Sequence, residues 1–261
     1  MKISVIVPFW DSEQWLGKCC ESLTTQDGDF EFILVDDQST DNGRDIAYEY
    51  CNKDQRFTLL TNHKTKGVSG ARNTGIEYAE GDYITFLDAD DEMADNAYKT
   101  FLSAINADPQ ADMHQFNHLR YYAVLEKMVI KNANHGGRYD VRHLPLMWFG
   151  VWNKVFRREF LKDVRFIDGL QYGEDGLFVL ECLAKGAYIH HGCYDEVTVK
   201  HKFINSHSLS KSKDMEGMLK QVHEYENFLV RQTDPKMIGT VCRELSALWG
   251  AEPRIKAMGG E

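Results

Sequence analysis

Three aspartates, Asp88, Asp90 and Asp91, crowd the end of an apolar run in the stretch YITFLDADDEM, Tyr83 to Met93. Like charges this close repel, and burying each without a partner is costly. Water can solvate such a cluster as an acidic turn. The other resolution is a cation, because carboxylate oxygens are the hard ligands that Mg²⁺ and Mn²⁺ accept alongside water and phosphate.

Further groups invite the same question. Asp36-Asp37 follow the run FEFILV, and a carboxylate there could accept hydrogen bonds from a base or a ribose, while Ser39, Thr40 or Asp41 reads as a helix cap. Arg72 and Asn73 stand early in GVSGARNTGIEYAEG; the guanidinium could pair with Asp36, with Asp37 or with a diphosphate. Glu174-Asp175 open a helix-like segment, where carboxylates stabilise the N-terminus whether or not they react. His114 and His118 are four apart on a strand-like segment and read as core or surface histidines, and His190-His191 stand in no metal-ligand motif of the sequence. Trp148, Phe149, Trp152 and Lys154 could form a platform for an acceptor sugar, with core packing the equal alternative.

The elements that must position these residues alternate along the first third of the chain. Strands are predicted over Ile3–Val7, Phe30–Val35, Phe57–Thr61 and Tyr83–Leu87, and helices over Ser12–Thr24, Arg44–Asn52 and Ser69–Glu80, the last closed by Gly81. Strands apolar on both faces and separated by helices predict a parallel sheet in an α/β fold. Ligands of such sheets bind beyond the carboxyl ends of the strands, where Pro8-Phe9-Trp10, Asp36-Asp37 and Asp88-Ala89-Asp90 stand. Beyond Asp91 the pattern predicts a helix over Asn96–Asn106, a strand over Ala111–Tyr122 and a Gly/Asn-rich loop over Asn132–Asp140. A helix over Glu174–Ala184, a strand over Val197–Phe203 and a Ser/Lys-rich loop over Asn205–Lys213 follow. Two helices broken near Asp234-Pro235 complete it, with Met218, Val222, Tyr225 and Leu229, then Ile238, Val241, Leu245 and Leu248, at helical spacing. Packing onto the main domain is the first reading of those stripes; a homodimer contact or docking on a membrane surface are the others.

The 261 residues carry a formal net charge of −10 with 43% apolar and 27% charged residues, an ordinary globular balance that disfavours nucleic-acid phosphates as partners. Six cysteines without a CxxC pair read as reduced thiols, which points to a cytoplasmic setting. The apolar run before Pro8 is too short for a signal peptide, and no later run approaches a membrane span of about 20 residues. A protein of this kind reaches a membrane, if at all, at its inner face.

Taken together, VIVPFW, VDDQSTD and GVSGARNTGIEYAEGDYITFLDADD resemble the nucleotide-sugar-binding half of family 2 glycosyltransferases, which have the GT-A fold: a Rossmann-like, mostly parallel central sheet flanked by helices. WNKVFRREFL (Trp152 to Leu161) and YGEDGLFVLECL (Tyr172 to Leu183) resemble the acceptor half of bacterial surface-polysaccharide members, and HKFINSHSLS (His201 to Ser210) their closing loop. The expected division is a GT-A domain over 1–214, with donor and acceptor halves at 1–95 and 96–214, and a helical C-terminal tail over 215–261.

The resemblance implies a UDP-type sugar donor, a saccharide or lipid-linked acceptor, and one Mn²⁺ or Mg²⁺. Pro8 and Phe9 with Asp36 or Asp37 would cradle the nucleoside, Arg72 and Asn73 would serve the donor side, and Asp88 and Ala89 would sit near the ribose. Asp90, with Asp88 and His201, would hold the metal. Asp175 would be the base and Glu174 would orient the acceptor, with Trp152, Lys154 and Asp91 on the acceptor side. Phe9-Trp10 replaces the family's more usual Tyr-Asn, so bulkier packing and no side-chain role at position 10 are expected. A sugar-phosphate nucleotidyltransferase is a weaker reading, because PFWDSEQW lacks a Gly-rich basic loop; a non-catalytic glycan- or nucleotide-binding protein on the same fold is the other.

Overall fold

Four apolar segments build the centre of the molecule: β1 (Ile3–Phe9), β2 (Phe30–Asp36), β3 (Phe57–Thr61) and β4 (Tyr83–Phe86). The computed structural model describes residues 1–122, 127–131, 137–139, 150–170, 172–191, 197–203 and 215–232. β1 runs parallel to β2 and β4, with Ile3 opposite both Phe30 and Tyr83, and β2 runs parallel to β3. β1 and β4 are buried along their whole length, which explains why neither alternates strictly between apolar and polar residues.

The crossovers are α1 (Glu13–Thr24), α2 (Gly43–Lys53) and α3 (Val68–Tyr78). Asp41 ties the first two together, because its carboxylate accepts the Glu13 N–H of α1 at 2.7 Å and the Gly43 N–H of α2 at 2.9 Å. One residue therefore caps two helix starts. α3 lies close on the sheet: a Cβ at Gly75 would stand 2.4 Å from Ile6 of β1.

The second half adds β5 (Glu92–Met93), α4 (Ala97–Ala107), β6 (Met113–Gln115), β7 (Asn117–Tyr122), β8 (Lys127–Lys131), β9 (Gly137–Tyr139) and β10 (Lys154–Arg157). It continues with a 3-10 turn (Phe160–Asp163), α5 (Glu174–Ala184), β11 (Ile189–His191), β12 (Val197–Phe203) and α6 (Met215–Val230). Among the described residues the main sheet has the order β3-β2-β1-β4-β10-β6-β11-β9, and a second sheet has the order β5-β12-β7-β8. β10 enters antiparallel to both β4 and β6.

The predicted strand over Ala111–Tyr122 is thus two strands in two different sheets. They part at Phe116, whose N–H and carbonyl bond the backbone carbonyl and side-chain amide of Asn153 and whose ring meets Phe101 at 5.1 Å. Part of the predicted loop over Asn132–Asp140 is β9; the rest of it, and Asn205–Lys213, lie outside the described residues.

Two apolar cores flank the sheet. Ile3, Val5 and Val7 meet α1 and α4 on one side, while Ile6, Ile84 and Phe86 meet α3 and α5 on the other. Tyr225 of the first predicted stripe is buried in that second core, together with Phe228 of the same helix, so at Tyr225 the stripe packs inward. Residues 233–261, with the second stripe, lie outside the described residues.

Candidate active site

The carboxyl ends of β1, β2 and β4 open on one edge, and the N-terminus of α5 comes to the same place. One oxygen from each of Asp88, Asp90 and Asp91 lies within 4.8 Å of the others. Asp91 is only 1% exposed. The donor set is all carboxylate oxygen, concentrated and partly desolvated, and it fits a hard dication such as Mn²⁺ or Mg²⁺.

Arg72, buried in α3, joins this cluster to α5. One terminal nitrogen lies 3.0 Å from Asp88 Oδ1, and the other lies 3.0 Å from Glu174 Oε1 and 2.7 Å from Asp175 Oδ1. The guanidinium carbon lies over the Phe166 ring, 5.3 Å from its centroid, and that ring itself lies flat on Phe178 of α5. Burial opposes the charge of Arg72, but the three carboxylates outweigh it and hold the guanidinium protonated. Burial pushes Glu174 up to about 7, and the neighbouring Asp175 adds to the effect against the pull of Arg72. Burial also raises Asp175, with Arg72 pulling it back down. Its second oxygen, Oδ2, accepts the Val151 N–H at 3.3 Å.

Asp36 and Asp37 do not pair with Arg72. Asp36 accepts the Ser39 N–H at 2.9 Å and pairs with Arg44 at 2.9 Å. Asp37 accepts from Asn62 Nδ2 at 2.6 Å and from the Gly67 N–H at 2.8 Å, and burial lifts its carboxyl above the usual range. Phe9 is buried and hands the edge only its carbonyl, which accepts the Asp37 N–H at 2.8 Å. Pro8 and Ala89 are also buried. Trp10, expected to have no side-chain role, is 49% exposed with the Lys66 ammonium 5.2 Å above its ring. The composition of the motif gave no sign of which of the two aromatics would face outward; Phe9 ends β1 inside the sheet, and Trp10 lies beyond the strand.

Three other predicted site residues are buried. Asn73 is committed to the scaffold, its carboxamide joining Phe166 O at 2.9 Å and Asp168 Oδ1 at 2.8 Å, because α3 turns that face inward. Lys154 is 1% exposed and sends its ammonium to Gly150 O at 2.6 Å and Asn153 Oδ1 at 3.1 Å, so it offers no platform to solvent. Trp152 is likewise buried. β12 carries His201 one residue beyond Lys200, which pairs with Glu92 just after the aspartates; the His201 side chain lies outside the described residues, as do Trp148 and Phe149. Asn62, Lys66, Gly150 and Val151 carry no motif and emerge only from the fold.

The family model for glycosyl transferase family 2 matches residues 4–165. Glycosyltransferase GlyA of Streptococcus pneumoniae is 31% identical over 67% of this chain and 27% of its own length. An uncharacterised glycosyltransferase of Haemophilus influenzae is 33% identical over 69% of this chain and 71% of its own. The GalNAc(5)-diNAcBac-PP-undecaprenol beta-1,3-glucosyltransferase of Campylobacter jejuni is 29% identical over 72% and 62%. The chain therefore spans from about a quarter to about seven-tenths of the length of these relatives.

Among solved structures, S. aureus TarS 1-349 in complex with UDP-GlcNAc superposes with a TM-score of 0.78 at 21% identity, covering 95% of this chain and 72% of that one. The mannosyltransferase PcManGT of Pyrobaculum calidifontis, in complex with GDP-Man and Mn²⁺, gives 0.62 at 16% identity over 99% and 76%. The mostly parallel sheet flanked by helices is the GT-A fold of TarS. On the family model and the similarity to the Haemophilus protein, this chain belongs to glycosyl transferase family 2.

Proposed function

We propose that the protein is a metal-dependent, inverting glycosyltransferase that moves a sugar from a nucleoside-diphosphate sugar of the UDP class to a saccharide or lipid-linked acceptor, in surface-polysaccharide synthesis. The observation that carries this reading is the Arg72 bridge, which brings a three-aspartate cluster and a half-buried Glu-Asp pair to one edge of the sheet. Further support comes from the crystallised ligands of TarS and PcManGT and from the undecaprenol-linked name of the Campylobacter relative.

Asp90 with Asp88 would hold the cation. When bound, it supplies a Lewis acid that neutralises the diphosphate of the donor and of the departing nucleotide. Asp37 would accept a hydrogen bond from the base or ribose, and the exposed face of Trp10 lies at the same mouth. Asp175, whose charged form Arg72 favours against burial, would take the proton of the acceptor hydroxyl as its oxygen bonds the anomeric carbon and the bond from that carbon to the diphosphate oxygen breaks. Glu174 would orient the acceptor.

Calorimetric titration of UDP tests the donor site: binding is expected with Mn²⁺, and is expected to be lost in EDTA and in Asp90→Ala. A panel of UDP-sugars is then expected to show slow UDP release with at least one member. Equal binding in EDTA would sink the metal assignment, and binding without any turnover would favour a binding protein on this fold.

A further inference from the structure

The peptide unit between Gly150 and Val151 faces two ionisable side chains at once, the buried Lys154 and the half-buried Asp175. Its carbonyl oxygen accepts from the Lys154 ammonium at 2.6 Å, and its N–H donates to Asp175 Oδ2 at 3.3 Å. A peptide is a rigid plane with its C=O and N–H pointing in opposite directions, so holding one end aims the other. Resting on the proposed function, we infer that Lys154 is a positioning residue for the base: through the Gly150–Val151 peptide it fixes and polarises the N–H that orients Asp175.

Several features make this arrangement specific. Lys154 opens β10, and its own N–H closes the turn by donating to Val151 O at 3.1 Å, so residues 150–154 fold around the ammonium. Its backbone is anchored in the sheet, where its carbonyl accepts from Thr85 Oγ1 at 2.8 Å. Asn153 offers a second acceptor to the ammonium at 3.1 Å, while its Nδ2 donates to Phe116 O at 3.2 Å. Gly150 is required where it stands, since a Cβ there would lie 2.8 Å from the Trp152 indole and push the peptide away. Asp175 is then held at both oxygens, by Arg72 at Oδ1 and by this peptide at Oδ2. A bonded chain from ammonium to peptide to carboxylate strengthens each link by polarisation in a low-dielectric setting. A residue at an acceptor platform would need none of this.

The test is Lys154→Met, which removes the ammonium but keeps an unbranched apolar stem that a buried site accepts. Two readouts are used. The first is a crystal structure of the variant beside the wild type. The Val151 N–H is expected to turn away from Asp175, while Arg72 keeps its hold on Oδ1; an unchanged Val151–Asp175 bond would overturn the inference, whatever the enzyme's activity. The second is UDP release, using whichever of UDP-Glc, UDP-Gal, UDP-GlcNAc and UDP-GalNAc the wild type hydrolyses fastest with Mn²⁺. The kcat is expected to fall about 10- to 100-fold with KM for the UDP-sugar within about threefold, as for a misaligned reacting group. The acid limb of kcat is expected to move to higher pH as the carboxylate loses a nearby positive charge.

Unchanged kcat and pH profile would overturn the positioning role, as would a kcat loss matched by an equal loss of UDP binding in calorimetry. In an Asp175→Asn background the Lys154→Met change is expected to add little, because the two act as one unit; full additivity would separate Lys154 from the base and refute the inference. A wild type that releases no UDP from any of the four sugars would count against the proposed function, and the crystallographic readout would still decide the role of Lys154.

Discussion

At the scale of single residues, the site turns on one guanidinium shared by three carboxylates. Arg72 is 3% exposed, whereas Asp88, Glu174 and Asp175 are 29%, 14% and 21% exposed. Removing a buried partner leaves charges without compensation, which typically costs about 3–5 kcal/mol; because water reaches the carboxylates here, the lower end of that range applies. Arg72→Met is therefore expected to lower unfolding stability by about 3 kcal/mol in a denaturant titration and to lower kcat by at least about 100-fold, as for lost alignment of the reacting groups. Arg72→Lys is expected to recover little of either, since a single ammonium cannot span three acceptors in a fixed fork. A Met variant as stable as the wild type would show that the carboxylates do not need Arg72.

At the scale of elements, β6 and β11 bring histidines into the sheet, away from the chemistry. His114 is fully buried and meets His190 across the strand pair, with Nδ1 to Nδ1 at 3.4 Å. Burial pushes His114 down to about 3, with His190 adding to it, and pushes His191 down to about 4. These groups stay neutral in the fold, while the unfolded chain takes up protons near pH 6.5. Below that pH the unfolded state binds more protons, so their contribution is complete above about 6.5 and is lost as the pH falls toward 4. Each contributes up to about 1.4 kcal/mol per pH unit in that window. His114→Leu is expected to flatten the fall in melting temperature between pH 6.5 and 4 relative to wild type; a parallel curve would show that this histidine titrates normally.

The same scale shows what could be read from the residues beforehand. The four parallel strands were visible as continuous apolar runs and their helices by helical spacing, bounded by local signals such as Asp41. The break at Phe116 was not, because it depends on Asn153, 37 residues away in the chain. Arg72 meets Glu174 and Asp175 across 102 and 103 residues, so its acidic partners were expected nearby, at Asp36 and Asp37. Composition proposed Lys154 as a sugar contact; only the position of β10 between β4 and β6 turns it inward.

At the scale of the whole molecule, the two halves of the chain meet at a charge imbalance. The first supplies Arg72 and the aspartates after β4; the second supplies Glu174 and Asp175 on α5, whose N-cap Gly173 lies against Gln221 of α6. A dication with a diphosphate would tie the halves together electrostatically and stabilise the folded state by mass action. At ligand concentrations near 100 times Kd, that linkage is worth about 2.7 kcal/mol. For a domain of this size it raises the melting temperature by roughly 5–10 °C. UDP with Mn²⁺ is expected to produce a shift of this order, EDTA to abolish it, and Asp90→Ala to remove it while leaving the unliganded protein folded. Mn²⁺ alone is expected to give a smaller shift, since the diphosphate supplies part of the coordination. A full shift from UDP in EDTA would place nucleotide recognition on Asp36, Asp37 and Trp10 without help from the aspartate cluster. The negative charge after β4 would then have to be explained by solvation.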